Sequence, residues 1–273
     1  MTYFPGIPSP FTLVDTSAKV QTGDIMLPFA YDEISCRRVG LGAMPIIHLW
    51  RHQKAVVLGI KDRRLSNAAE AIQQLGNQGY SVGTRNSGGA AVPLDAGVLN
   101  ISFIFPKKQG ALDFHPDFRL MVEMMDQFIQ FTSTAGVRVH QGEVAGSYCP
   151  GQFDLSIEGK KFCGIAQRRQ TKAFIVQGFI LVEGSGQARA GAAKAFYDKA
   201  AKESNVDDYP DVRSDSMGSL QETAGIPSVE AFVHGIRQVL SRWECHEEHT
   251  RYNDSDQTQM QQMMAQLRER YHK

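Results

Sequence analysis

Short apolar runs with a strand-like pattern alternate along this chain with longer stretches of helical period. From Pro45, "IIHLWR" and "AVVLGI" are brief β-branched runs separated by "HQK", which predicts two strands paired with each other. "SNAAEAIQQLGNQG" follows with Ala, Ile and Leu at helical spacing, predicting a helix N-capped by Ser66 and stopped by glycine. "YSVGTR" leads into a glycine-rich turn, "NSGGAAVPLDAG", which exits into "VLNISFIFP", an apolar run closed by Pro106 that reads as a buried strand. In "PDFRLMVEMMDQFIQFTSTAG", Pro116 starts a helix, Leu120, Met124, Phe128 and Phe131 share a stripe, and Gly136 ends it. The methionines of that helix read as core filler. "FDLSI" and "KKFCGIAQRR", joined by Glu158 and Gly159, predict a tight hairpin, with "AFIVQGFILVE" after it.

The two ends of the chain read differently from this middle. The first forty or so residues are punctuated by proline and predict a cover that includes a helix from about Pro28 to Gly40. After Gly191 the pattern turns helical through "AAKAFYDKAAKESN", and again in a long closing segment from Ser228, which packs on the body or on a partner. No internal repeat or low-complexity linker appears. The expectation is one α+β domain over residues 1–227, with its core at about 45–183, and a helical segment over 228–273 packed on it.

Composition narrows the function classes. At 273 residues, 42% hydrophobic and 21% charged, the chain can bury an ordinary core. Lys plus Arg and Asp plus Glu are 29 each, so no global field draws it to nucleic acid or an anionic membrane. The four cysteines show no C-x-x-C spacing, and no run reaches the ~18 apolar residues of a membrane span, so a reduced cytoplasmic setting is expected. A phosphate loop is absent, and "GSGQARAG" fails the dinucleotide pattern because Arg189 takes the last glycine position. "ECHEEHTR" carries Cys245, His246 and His249, but the histidines are three apart with no second ligand cluster; a solvated charged helix is expected there and no metal.

Two stretches carry candidate chemistry. In "TRNSGGAAVPLD", Ser87, Gly88 and Gly89 let the backbone approach a ligand, and Arg85 adds a forked cation; a flexible turn between strands is the alternative. In "GSYCPG", Cys149 sits on a sharp loop, whereas Cys163 lies in a strand and reads as a small buried hydrophobe. An ordinary thiol is mostly protonated at neutral pH, so a nucleophilic Cys149 needs a nearby cation, for which Lys161 is the natural candidate.

Three segments, "PIIHLWRHQKAVVLG", "RNSGGAAVPLDAGVLNISF" and "DLSIEGKKFCGIAQRR", resemble in order and spacing the biotin/lipoate protein ligase catalytic-domain family, over roughly Pro45 to Glu183. The resemblance implies that fold: mixed, mostly antiparallel sheets flanked by helices. It makes Arg85, Ser87, Gly88, Gly89, Ala90, Asn100 and Gly164 acyl-binding positions and brings Lys161 to the reactive carbonyl. Ala90 replaces the third glycine of the ATP-using ligases, Pro93 and Leu94 replace their Tyr-His, and a cysteine stands at Cys149. The likeness is therefore to the cysteine-dependent octanoyltransferase branch of Gram-positive bacteria. That branch implies a Cys149 thioester assisted by Lys161, no cofactor, and octanoyl transfer from glycine cleavage H protein to E2 lipoyl domains. Octanoyl-acyl carrier protein as donor, an ATP-dependent ligase, and a non-catalytic acyl-binding protein are the alternatives. Val92, Leu99, Ile101 and Phe103 are candidate walls of the acyl tunnel. The basic pairs Arg37-Arg38, Arg63-Arg64, Lys160-Lys161 and Arg168-Arg169 are candidate guides for an acidic carrier.

Overall fold

The computed structural model describes residues 6–107, 113–248 and 254–271. In chain order the elements are β1 (Phe11–Asp15), α1 (Met26–Gly40), β2 (Ile46–Trp50), β3 (Lys54–Leu58), α2 (Ala68–Asn77), β4 (Ser81–Thr84), β5 (Val92–Asp95) and β6 (Val98–Pro106). Then come α3 (His115–Thr132), β7 (His140–Gln141), β8 (Leu155–Ile157), β9 (Lys160–Arg169), β10 (Ala173–Leu181) and α4 (Gly186–Ala200). The chain continues through α5 (Leu220–Ala224), α6 (Val229–Leu240), β11 (Cys245–Glu248) and α7 (Asp254–Tyr271).

Eight strands form one sheet in the order β11-β1-β2-β6-β10-β9-β8-β7, and β4-β3-β5 form a second, smaller one. Pairing is antiparallel except for β1 with β2 and β11, and β3 with β4. One face of the large sheet packs Leu49, Phe103 and Val176 against Met124 and Phe128 of α3 and Phe232 and Ile236 of α6. The other face turns Trp50 and Leu181 toward the small sheet, α1 and α4, in a second core. A sheet covered on both faces explains the unbroken apolar run of β6.

β2 and β3 do not pair with each other, contrary to the pattern's expectation. β2 lies between β1 and β6, while β3 lies between β4 and β5. The linking residues are tied instead to the segment before α1: Gln21 N–H donates to Arg51 O, Gln53 N–H to Gln21 O, and His52 Nε2 lies 3.0 Å from Gly23 O. Both strands are buried on both faces, so each takes two neighbours, and a hairpin would leave one side of each open.

Further corrections have equally local causes. Phe11–Asp15 is a strand inside the large sheet, not a cover. "VPLD" within the glycine-rich turn is β5, because Pro93 sits on an edge strand that pairs on one side only. Asn67, not Ser66, holds the cap position of α2, and Ser66 Oγ accepts instead from Glu203 N–H. Phe131 is 49% exposed, off the buried stripe of α3, and that helix ends at Thr132, before Gly136. α4 begins at Gly186, capped by Ser185 Oγ, ahead of Gly191. The charged stretch at Cys245 is a strand, β11, which adds to the exposed edge of β1; His249 lies outside the described residues. The hairpin at Glu158 and Gly159 has φ +51° and +75°, the backbone of a tight type I′ turn.

Among the described residues no helix is long and apolar enough to cross a membrane, and no group of three His, Cys, Asp or Glu stands where it could hold a metal ion.

Candidate active site

β6, β10 and β9 run side by side, so their residues fall into rows across the sheet. Asn100, Phe179 and Gly164 make one row and Ser102, Gln177 and Ala166 the next, with Trp50 of β2 opposite Asn100. Val57, Val92 and Leu94 of the small sheet and Phe29 of α1 face these rows across a cavity of about 590 Å³. Phe114, Phe118, Phe153 and Arg169 also line it, Phe118 stacked on Phe153 at 4.5 Å. Of the four expected tunnel walls, Val92 and Ile101 line this cavity. Leu99, Ile101 and Phe103 alternate onto one face of β6 and join the core beneath α3 and α6, and of the three only Ile101 also borders the cavity.

The loop after β4 closes one side of the cavity. Gly88 and Gly89 have φ +85° and +83°. A Cβ on Gly89 would stand 2.5 Å from Arg85 Nη2 and 2.7 Å from Cys149 Sγ, so only glycine lets those two groups meet there. Arg85 threads the loop: Nε donates to Gly88 O (2.6 Å), Nη2 to Ala90 O (2.6 Å) and Nη1 to Val57 O (3.3 Å). From behind, Ala91 N–H donates to Tyr197 Oη (2.8 Å), and Tyr197 donates to Asp62 Oδ1 (3.0 Å), whose other oxygen accepts Gly59 N–H. Burial pushes Asp62 above the usual carboxylate range, against the pull of those hydrogen bonds.

Gly59 makes the loop's position testable. A Cβ there would lie 1.8 Å from Gly89 O, a backbone atom that cannot swing away. Gly59→Ala should cost about 1–3 kcal/mol, as overpacked sites do, and displace Gly89 and Ala90 from the cavity wall. Thermal melts and acyl-group binding measured on the same variant check both halves.

Cys149 enters from the opposite side with φ +48°, an uncommon conformation for a residue with a side chain. It is 8% exposed and lines the cavity. Its sulfur accepts from Arg85 Nη2 at 3.1 Å and from Ala90 N–H at 3.3 Å. Cys163 is a buried core thiol, as expected, and burial pushes it far above the ordinary thiol range.

Lys161 is fully buried next to this loop, though not on the sulfur. Its Nζ donates to Tyr148 O (2.9 Å) and Cys149 O (2.5 Å) and pairs with Asp154 Oδ2 (2.7 Å), which uses all three ammonium hydrogens. A β-bulge aims it there. Between Ser156 and Leu155 of β8, strand β9 advances from Lys161 to Cys163, one residue too many, so alternation resets at Phe162. The shift brings Lys161 beside Gly164, whose Cβ would lie 3.3 Å from Lys161 Cε and 2.5 Å from the Phe179 ring.

Asp154 is the residue the sequence reading missed. Its carboxylate accepts Gly151 N–H (2.9 Å) as well as Lys161, and its own N–H donates to Gly151 O. Burial raises it to about 6, with Lys161 pulling the other way. Its one signal in the sequence is a lone acid heading an otherwise apolar strand.

The cavity thus gathers Cys149, Arg85, Ser87, Gly89, Asn100 and Gly164 on its lining, with Gly88, Ala90 and Lys161 one contact behind. Asn100 Nδ2 and Ser87 Oγ are buried without a hydrogen-bond partner. Of the basic residues expected to guide a carrier, Lys161 is fully buried on Asp154 and so cannot, and Arg38, Arg168 and Arg169 are engaged within the chain with Gln259 at 2.8 Å, Glu33 at 3.6 Å and Asp117 at 2.7 Å.

The lipoyl protein ligase A/B catalytic domain model matches residues 24–241. A relative from Macrococcus caseolyticus, named octanoyl-[GcvH]:protein N-octanoyltransferase, is 44% identical over 200 residues, 72% of this chain and 71% of that one. A relative from Listeria monocytogenes, named lipoyl-[GcvH]:protein N-lipoyltransferase, is 38% identical over 202 residues, 73% and 71% of the two chains. The crystal structure of lipoate-protein ligase A bound with ATP superposes with a TM-score of 0.69 over 93% of this chain and 94% of that one, at 18% identity. The fold of that ligase is therefore shared, and by the family match and the identities over most of its length the chain belongs to the lipoyl protein ligase A/B catalytic domain family.

Proposed function

We propose that this chain is a protein N-octanoyltransferase of lipoate biosynthesis. It takes octanoyl from the lysine amide of octanoylated glycine cleavage H protein and delivers it to a lysine of an E2 lipoyl domain. The observation that carries the reading is the Cys149 sulfur, set on an apolar cavity between two hydrogen-bond donors. The names of relatives 37–44% identical support the donor and the acyl group.

The chemistry is two exchanges at one carbonyl. The Cys149 thiolate adds to the octanoyl amide, the C–S bond forms, the C–N bond breaks, and the departing lysine amine takes up a proton. The acceptor amine then adds to the thioester, its C–N bond forms, the C–S bond breaks, one proton is released, and the thiolate returns. One lysine amide is traded for another, so the net free energy is near zero and no nucleotide is consumed. Amide to thioester is uphill, so the oxyanion must be stabilised. Asn100 Nδ2 and Ser87 Oγ, unpartnered and on the cavity wall, are suited to the substrate carbonyl. Lys161 serves from beneath, holding the carbonyls of Tyr148 and Cys149 so that the loop keeps its left-handed turn.

The apolar wall supplies binding at about 0.8 kcal/mol per buried CH₂. A working thiolate needs reducing conditions, and the four cysteines are free, which fits the cytoplasm.

Intact-mass measurement tests the reading. Incubated with octanoylated glycine cleavage H protein and no ATP, the chain should gain one octanoyl group on Cys149 and lose it when an E2 lipoyl domain is added. Loading only from octanoyl-acyl carrier protein would reassign the donor. Transfer that requires ATP, or no adduct from either donor, would overturn the mechanism.

A further inference from the structure

We infer that Arg85, and not Lys161, is the charge partner of the Cys149 thiolate and therefore a catalytic residue of the transfer. The inference rests on the reading of Cys149 as nucleophile and adds which cation sustains it.

Arg85 stands in an electrical imbalance. Arg85 is 6% exposed, and a buried guanidinium without an anion is costly. Among the described residues it forms no ion pair with a carboxylate. Asp62 lies close enough for its field to feel Arg85, yet gives its oxygens to Gly59 N–H and Tyr197 Oη. The partners of Arg85 are three backbone carbonyls and one sulfur. Of these four atoms only the sulfur can become an anion, at 3.1 Å from Nη2.

Lys161 presents the opposite picture. Its charge is balanced by Asp154 at 2.7 Å, and its remaining hydrogens are spent on two carbonyls. Nothing is left over to face Sγ. The ammonium holds the peptide that carries the cysteine, while the guanidinium holds the reacting atom.

The neighbourhood is built for that contact. Gly89 lacks the Cβ that would stand between guanidinium and sulfur. The planar fork of Arg85 is fixed by the carbonyls of Gly88 and Ala90, so little motion remains to be frozen when charge develops. Ala90 N–H adds a second donor to the same sulfur, and that N–H belongs to the loop Tyr197 anchors through Ala91. As the thiolate attacks, negative charge moves from sulfur to the carbonyl oxygen two bonds away, within the field of the same cation.

The test compares Arg85→Gln, Arg85→Lys and Lys161→Met for thiolate content at neutral pH, read by ultraviolet absorbance and by the second-order rate of Cys149 alkylation with iodoacetamide. Arg85→Gln should lower both roughly tenfold or more, and Arg85→Lys should fall between it and wild type. Lys161→Met, which loosens the Cys149 peptide without removing a contact to the sulfur, should lose less thiolate than Arg85→Gln. An arginine that merely braced the loop would, when removed, loosen it and leave alkylation as fast or faster. Wild-type alkylation in Arg85→Gln, or loss of thiolate in Lys161→Met alone, overturns the inference.

If Arg85→Gln does not fold, the wild-type protein with isotope-labelled arginine decides. Capping Cys149 with iodoacetamide should shift the Arg85 side-chain resonance, and an unmoved resonance overturns the assignment. The octanoyl adduct on wild type is scored separately: its absence removes the transferase reading, whereas its presence with an unchanged Arg85→Gln thiolate removes only the role of Arg85.

Discussion

Cys149→Ala should abolish octanoyl transfer, with a loss on the order of 10⁴- to 10⁶-fold that leaves the chain folded and still able to bind the acyl group. Two donors hold the Cys149 sulfur on the cavity wall, whereas Ser87 Oγ there has no hydrogen-bond partner to activate it and Ser102 Oγ is spent donating to Asp32 Oδ2. Cys149→Ser should be nearly as inactive. A hydroxyl is a far weaker nucleophile than a thiolate at neutral pH, and its conjugate base is not reached there. Some stability should be lost, since alanine keeps the backbone strain of φ +48° and strips the buried Arg85 guanidinium of its sulfur, while its three carbonyl acceptors remain to hold the fold. Cys149→Gly separates the two properties: equally inactive, it should be more stable than Cys149→Ala by about 1 kcal/mol, because glycine adopts that conformation freely. Transfer assays with purified carriers, run beside thermal melts, check both. Measurable turnover in Cys149→Ala would mean that the acyl group never passes through sulfur.

How much of this could be read in the residues depends on what kind of order carries it. The helix α3, the apolar strand β6 and the hairpin at Glu158 and Gly159 were legible because each is fixed by local period or turn chemistry. The partnership of β2 and β3 was not. Both runs look like hairpin strands, and only the tie of residues 51–53 to Gln21 and Gly23 sends them to different sheets. Likewise Phe11–Asp15 and Cys245–Glu248 carry weak patterns of their own and become strands by adding to one another at the edge of a sheet. Tertiary pairing overrides local propensity most easily in such short segments.

The candidate site divides along the same line. Glycines at Gly88 and Gly89 and a cysteine on a sharp loop announce a close approach of backbone to ligand, and the structure sets them around one cavity. Where the Lys161 ammonium ends was beyond reach, because it turns on a single bulge. Without the extra residue at Phe162, alternation would point Lys161 away from the row of Gly164, and the ammonium would not reach the Cys149 carbonyl. A bulge has no signature in "KKFCG". Asp154 was passed over for a related reason: an acid at the head of a strand is ordinarily solvated, and its burial follows from the lysine that the bulge delivers.

That pairing makes Lys161→Met the second substitution of large effect, and pH decides its size. Removing one member of a buried ion pair typically costs about 3–5 kcal/mol, because the other is left charged and unpaired. Asp154 has an escape, since it can take up a proton. In the wild-type fold its carboxyl is already raised to about 6 by burial, above its ordinary 3.8, so its contribution favours the native state at low pH and is lost as pH rises through 6. Without Lys161 the one cation opposing burial is gone, and the carboxyl rises further. The Lys161→Met variant should therefore be mildly destabilised at acidic pH, where Asp154 is neutral in both proteins. Its deficit should widen steadily toward alkaline pH, where burying the ion is no longer compensated. Asp154→Asn in the same background removes the ion, so the double variant should recover most of the lost stability and show a flat pH dependence. Thermal melts of the four proteins across that range measure it. A Lys161→Met deficit that is the same at every pH, or a double variant no better than the single, would mean that the ammonium holds the Cys149 loop through its two carbonyl contacts alone.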